Sequence, residues 1–365
     1  MSVRRMTRLT AGMTAIAAMT ALAACGNGDD AEDNGDNGDG EVETGDEGDF
    51  IDDLEFTTGG TGGAYYPLGG DLSTIFENET DATVNYVESG GSVENLGRIL
   101  QEASQLGLSQ NDTAANAVNG ELDISEDDED EEFVTVDNVG WIANLYPEAM
   151  HIVVRDDAGI DSIEDLDGAT IAVGDVGSGT RDISDAILEH YDIDYTPEET
   201  EFGDSTEMLA DGQIDASMFV VGVPVGSLTE LAQSTDTSLL SLPQDDAEEI
   251  AEGGLYEAYT IDSDAYDFLE EDVTTLSVFA ALVASTTQVS EDLAYDITAA
   301  LFDNVDDVSV AQGESIDIDE ALLGIGDIPL HPGAERYFEE QGIEAEDGDE
   351  SPEDADDEAE ADEDA

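Results

Sequence analysis

Five times between residues 54 and 234 the chain runs through a short apolar segment, a turn of small residues and an apolar stretch at helical spacing. This repeated order constrains the fold more than any other feature of the sequence. In the first unit Leu54-Glu55-Phe56-Thr57 suits the end of a strand, and Leu72, Ile75 and Phe76 follow at helical spacing. The second has strand Thr83-Val84-Asn85-Tyr86-Val87, turn Glu88-Ser89-Gly90-Gly91, and Ser92 as the expected N-cap of a helix over 93–103. In the third, Leu106-Gly107-Leu108 leads through Ser109-Gln110-Asn111-Asp112 to a helix ending near Ala117. The fourth places strand Thr170–Val173 before turn Gly174–Gly179 and a helix from Thr180 to about His190. The fifth runs from Ile214–Val220 past Gly222 and Pro224 to a helix over 227–233. Alternating strands and helices predict an α/β fold of mainly parallel sheets with helices on both faces. In such sheets ligands bind beyond the carboxyl ends of the strands, where these turns lie.

The first turn is the richest of them: Thr57-Thr-Gly-Gly-Thr-Gly-Gly-Ala-Tyr-Tyr-Pro-Leu-Gly-Gly70. Pro67 suits a first helical turn, where its missing N–H costs nothing. Such a turn brings bare backbone N–H groups close to a ligand, and a helix N-terminus favours negative charge there. A glycine-rich surface loop is the equal alternative on these residues alone.

The ends of the chain differ from its middle. Arg4, Arg5 and Arg8 precede a short apolar run over 11–24 that ends Leu22-Ala23-Ala24-Cys25, and Cys25 is the only cysteine. That order looks like a lipobox, with cleavage before Cys25 and lipid attached to it. The expected organisation is a lipoprotein signal peptide at 1–24 and an acidic flexible linker at 25–50. Lobe 1 then starts over 51–152, lobe 2 covers 153–275, lobe 1 returns over 276–343, and 344–365 is an acidic disordered tail. Hinges are expected near 152–155 and 280–284. The mature protein is placed outside the cytoplasm, tethered to the cell membrane by its lipid.

Composition narrows the partners. The 365 residues carry a formal net charge of −87, with 94 acidic and 7 basic residues. Every basic residue is Arg, at positions 4, 5, 8, 98, 155, 181 and 336. With 40% hydrophobic residues a folded core is expected, and the acidity reads as a surface adapted to very high salt. At molar ionic strength the Debye length falls to about 3 Å, so the carboxylates barely repel one another. Nucleic acid is excluded as a partner for want of a basic face. Without lysine there is no phosphate-binding Walker loop, no pyridoxal Schiff base and no lysine general base. His151, His190 and His331 have no metal-ligand spacing, and the acidic run at 122–132 reads as a solvated loop. No metal, cofactor or enzymatic activity is expected. The turns at helix starts instead suit a small anion such as a carboxylate. Arg181, after Gly177-Ser178-Gly179-Thr180, either pairs with a ligand carboxylate or lies on the helix exterior.

The run Gly59-Gly60-Thr61-Gly62-Gly63-Ala64-Tyr65-Tyr66-Pro67-Leu68-Gly69 is similar to the opening motif of TAXI-type solute receptors of TRAP transporters. The likeness continues at Ser89-Gly90-Gly91-Ser92-Val93-Glu94-Asn95-Leu96, Leu145-Tyr146-Pro147-Glu148 and Gly174 through Thr180. It extends to Asp211-Gly212-Gln213-Ile214-Asp215-Ala216 and Ile328-Pro329-Leu330-His331-Pro332-Gly333-Ala334-Glu335-Arg336-Tyr337. The resemblance implies a two-lobed periplasmic-binding-protein (type II) fold that closes on glutamate, glutamine or a related dicarboxylate or 2-oxoacid. It implies delivery to TRAP membrane permease subunits, driven by an ion gradient. On one side the solute would meet Thr61, Gly62, Gly63, Tyr65, Tyr66, Ser89, Gly91, Ser92, Val93, Gln110 and Asp112. From the other it would meet Ser178, Gly179, Thr180 and Arg181. The rival within the fold is the substrate-binding lipoprotein of an ABC importer, which the neighbouring genes would distinguish. Outside it stand an enzyme using cleft carboxylates and a surface protein whose charge retains water and cations.

Overall fold

The computed structural model describes residues 43–124, 133–252, 256–326 and 328–343. The expected signal peptide, Cys25, most of the linker, the acidic run from 125 and the tail lie outside the described residues. The first three units give β1 (Asp53–Thr57), α1 (Tyr65–Glu79), β2 (Thr83–Val87), α2 (Ser92–Leu100), β3 (Leu106–Gln110) and α3 (Asn111–Asn119). A two-residue ribbon, β4 (Leu122–Asp123) and β5 (Phe133–Val134), flanks the acidic run and leads to the long strand β6 (Val139–Arg155). The later units give β7 (Thr170–Ala172), α4 (Thr180–His190), β8 (Thr196–Glu198), α5 (Phe202–Asp211), β9 (Ala216–Gly222) and α6 (Gly226–Ser234). Then come β10 (Thr237–Leu239), α7 (Gln244–Ala251), β11 (Glu257–Ile261), the second long strand β12 (Val273–Ser285), α8 (Glu291–Asp303) and α9 (Pro332–Gln341).

The two groups of units are built alike. β1 pairs in parallel with β2 on one side and β3 on the other. β7 likewise pairs in parallel with β8 and β9. Each trio therefore reverses its strand order beside its first strand, which opens a crevice at the strand ends. Two long antiparallel strands join the trios into one sheet ordered β2-β1-β3-β12-β6-β9-β7-β8. The first part of β6 lies against β12, from Val139 opposite Ser285 to Ala149 opposite Ser277. From Glu148 onward β6 also pairs with β9, beginning at Gly222. The strand thus passes from one half to the other at Glu148 and Ala149, a few residues before the expected hinge at 152–155.

Strand alternation explains why the second half carries helices on both faces. Met218 and Val220 of β9 join Ile171, Ile183 and Ile187 in one core. Phe219 and Val221 point the other way, into the core shared with Leu209 and Leu228. In the first half Leu54, Phe56, Leu68, Leu72 and Phe76 are fully buried together. Each such side chain contributes about 1.5–3 kcal/mol on burial. α8 and α9 close this half, with Tyr337 and Phe338 packed on Phe302.

The elements correct the sequence-based expectations in detail. Ser92 is the first helical residue of α2 rather than its cap; Gly91 precedes the helix at φ 124°, a conformation that suits glycine. Asn111 and Asp112 lie in the first turn of α3 rather than in a loop. α5, α7 and the start of β6 have no counterpart in the sequence-based expectation. No helix of the described residues is long and apolar enough to cross a membrane.

Candidate functional site

The chain ends of both strand trios meet around one cavity of about 770 Å³, open mouth included. Four helices begin on its wall, at Tyr65 (α1), Ser92 (α2), Thr180 (α4) and Phe202 (α5). Two come from each half. Their first N–H groups and aligned peptide dipoles place partial positive charge around the cavity. Apolar area comes from Met218, Phe219 and Val220 of β9 and from Phe202. Phe219 is stacked on the buried His151, with ring centroids 5.2 Å apart and planes 11° apart. His151 has one ring nitrogen 2.8 Å from the Ala149 carbonyl and the other 2.9 Å from the Tyr266 hydroxyl. Burial lowers its pKa to about 4, so the ring is neutral and serves as backing for the aromatic wall.

A carboxylate, Glu148, forms the floor. It lines the cavity and is 2% exposed. The Tyr65 hydroxyl lies 2.9 Å from Glu148 Oε2 and 3.0 Å from the Ser109 carbonyl, which share its single proton. Gln110 Nε2 donates to the same Oε2 at 2.9 Å, and the Tyr146 hydroxyl reaches Oε1 at 3.3 Å. Ser92 Oγ donates in turn to Gln110 Oε1 at 3.3 Å, so the start of α2 is tied to the network. Burial raises the Glu148 pKa to about 7, opposed by the three side-chain hydrogen bonds. Asp175 and Glu201 also line the cavity, and burial raises both carboxyls. The four described arginines are spent on ion pairs elsewhere: Arg98 with Glu55 and Glu94, Arg155 with Asp157, Arg181 with Asp185 and Glu199, Arg336 with Glu291 and Asp292.

The residues expected to meet a ligand divide into groups. Gly62, Gly63, Tyr65, Gly91, Ser92, Gln110, Ser178 and Thr180 line the cavity. Gly179 packs behind them; a Cβ there would fall 2.0 Å from Gln110 Oε1. Thr61 is exposed, and Tyr66 packs against Tyr86 with centroids 5.2 Å apart and planes tilted by 59°. Ser89 is buried behind its turn. Val93 is engaged across the cavity, because the N–H groups of Val93 and Glu94 donate to the Gly177 carbonyl at 3.1 and 3.2 Å. Asp112 is buried beside Thr113 and Asp182 rather than in the cavity. The ion pairs of Arg181 place its side chain on the helix exterior, on the non-ligand side of the two alternatives. Other contacts hold the halves together: Ser227 Oγ donates to the Gly62 carbonyl at 2.7 Å, and a Cβ on Gly62 would come within 2.9 Å of Gly203 Cα.

Sequence reasoning did not find Glu148, Phe202, Phe219, Asp175 or Glu201. Glu148 ends the run Leu145-Tyr146-Pro147-Glu148 but is one of 94 acidic residues, with nothing in the sequence to mark it as a buried one. Phe219 was read only as strand, since its direction depends on the pairing of β9.

The family model described as NMT1-like matches residues 56–342. The chain belongs to the NMT1-like family. This is a family of periplasmic solute-binding proteins of transporters, which places the folded part outside the cytoplasm. Solved structures resemble the chain more distantly. The alkanesulfonate-binding protein SsuA from Xanthomonas axonopodis pv. citri, bound to MOPS, is 13% identical over 80% of this chain and 84% of its own, with a TM-score of 0.43. MatC from Rhodopseudomonas palustris with bound malate is 12% identical over 78% and 92%, at 0.48. The glutamate-bound ligand-binding core of a Nostoc punctiforme receptor is 15% identical over 68% and 92%, at 0.40.

Proposed function

We propose that this chain is the solute receptor of a TRAP-type secondary transporter, of the TAXI kind, which captures a small carboxylate in the cavity and delivers it to the membrane permease. Glutamate, glutamine and related dicarboxylates or 2-oxoacids are the solutes in view. The observation that carries the reading is the convergence of four helix starts, from both halves, on one cavity that none of the described arginines lines. Backbone N–H groups and helix dipoles are then the source of attraction for an anion. Residues 51–152 with 276–343 act as one lobe and 153–275 as the other. Opening separates Gly177 from α2 and Ser227 from Gly62, and turns about β6 and β12 where they cross between the halves. Lipid on Cys25 keeps the receptor at the membrane.

Calorimetric titration in molar KCl, with glutamate, glutamine, 2-oxoglutarate and other small acids, tests the reading. At least one is expected to bind with a micromolar or tighter Kd, about −8 kcal/mol. Folded protein that binds none of them would remove the carboxylate assignment. A neighbouring gene for a large multi-span permease, without an ATPase gene, is expected for the TRAP assignment.

A further inference from the structure

Glu148 is out of place in a site built only for an anion. Its carboxyl is buried on the cavity floor, at the residue where β6 passes between the halves. Every side-chain partner it has among the described residues is neutral: Tyr65, Gln110 and Tyr146. An ionised carboxylate offers about four acceptor sites. Two protein donors reach Oε2 and one, at 3.3 Å, reaches Oε1. Oε1 thus keeps an acceptor site to spare. The titratable groups around it are Tyr65 on α1, Tyr146 on β6 itself and Asp112 on α3. Opposite it β12 and β9 present Val278 and Gly222, which carry no charge. The further cavity acids, Asp175 and Glu201, add negative charge and no cation. A buried carboxylate without a cationic partner is costly unless a ligand supplies one.

We infer that Glu148 receives the ammonium group of the solute, so that the solute is an α-amino acid held as a zwitterion rather than a 2-oxoacid or a simple dicarboxylate. The inference rests on the carboxylate reading above. The solute's carboxylate lies toward the helix starts, its ammonium on Glu148, and its side chain along Phe202, Phe219 and Met218. The cavity thus offers an acceptor for the ammonium and helix-start donors for the carboxylate of one small molecule. Solutes that lack the ammonium leave Glu148 either unpaired or obliged to take up a proton.

The test uses matched pairs, so that the unknown side chain cancels: L-glutamate with 2-oxoglutarate, L-leucine with 4-methyl-2-oxopentanoate, and L-phenylalanine with phenylpyruvate. In molar KCl an amino acid is expected to bind about ten- to hundredfold more tightly than its oxoacid, the usual worth of a hydrogen bond to a charged group. Glu148→Gln should weaken the amino acid by a similar factor and bring the pair level. A second measurement needs no variant. Because burial holds the free carboxyl near neutrality, ammonium binding should release protons at pH 6–7, read as a dependence of the calorimetric heat on buffer ionisation, and affinity should rise from pH 6 to pH 8. An oxoacid that binds as tightly as its amino acid, or proton uptake with affinity falling over that range, overturns the inference and leaves the carboxylate reading standing. If no acid of either kind binds the folded protein, the carboxylate reading fails and this inference fails with it.

Discussion

Asp112 shows what a single residue's surroundings decide. Its motif suggests a ligand contact, yet α3 carries it into a buried position beside Thr113, where Oδ2 finds no hydrogen-bond partner among the described residues. Burial raises its pKa to about 7, and the nearby charge of Asp182 adds to this. A carboxyl whose folded pKa exceeds its unfolded value of 3.8 binds more protons in the native state between those values. Its contribution to stability is therefore present at low pH and is lost as pH rises toward 7. Asp112→Asn removes that loss together with the repulsion from Asp182. The variant is expected to be more stable than the parent by about 1–3 kcal/mol at pH 8, with the difference shrinking toward pH 4, as read by denaturant titration at both values. Gly62, Tyr65, Ser92 and Gln110 line the cavity as expected from the sequence, because each stands in or beside a turn of small residues that opens a helix. Glu148 and Asp112 were not legible in this way. Which of two carboxylates ends in a cavity and which behind it depends on strand register, and a residue's own neighbours in sequence do not carry that.

At the scale of elements, the helices that carry a clear apolar stripe or a small-residue turn were readable, and those that lean on tertiary contacts were not. α4 was anticipated almost to its ends, because Gly179 precedes it and Ile183, Ile187 and Leu188 recur on one face. α7 buries only Ala247, so its sequence shows little of a stripe, and it is held against β11 and β12 by the fold. The long strands were half visible: residues 278–284 are continuously apolar, whereas the start of β6 mixes Gly, Trp, Asn and Pro. Along that mixture β12 pairs on one side, and the Trp141 and Asn144 N–H groups donate to the Pro329 and Ala321 carbonyls of the later chain, partners that no local pattern gives. α9 offers a test of how firmly the last element is bound. Phe338 is 1% exposed and packs on Phe302, while Tyr337 stacks on the same ring with planes 10° apart. Phe338→Ala is expected to cost about 3–5 kcal/mol in denaturant titration. Because α9 closes only the first half, solute affinity in the remaining folded protein should change little.

For the whole molecule, charge sets the conditions under which any of this operates. A surface with so many carboxylates and so few cations repels itself at low ionic strength, and screening relieves it. The midpoint of thermal unfolding is expected to rise steeply between 0.2 M and 3 M KCl; a midpoint that stays level or falls would contradict the salt-adapted reading of the composition. His151 and His331, both buried with pKa values lowered to about 4, act in the opposite pH sense to Asp112. They are neutral in the fold, so the stability they permit is present above the unfolded value of 6.5 and is lost as pH falls toward 4. The first parallel trio was legible as a whole and the second without β8. Crossings near 152–155 and 280–284 were expected, but not that they belong to two long strands paired with each other, since no local pattern gives that pairing. The bonds from Val93 and Glu94 to the Gly177 carbonyl have a last consequence. Both amides sit in the first turn of α2, where no earlier carbonyl of the helix can take their protons. In the opening proposed above, each separation of the halves bares that pair to water, and each return hides it again. Deuterium uptake at these two positions, compared with amides in the middle of α2, therefore counts openings of the empty receptor, with no ligand, label or partner needed.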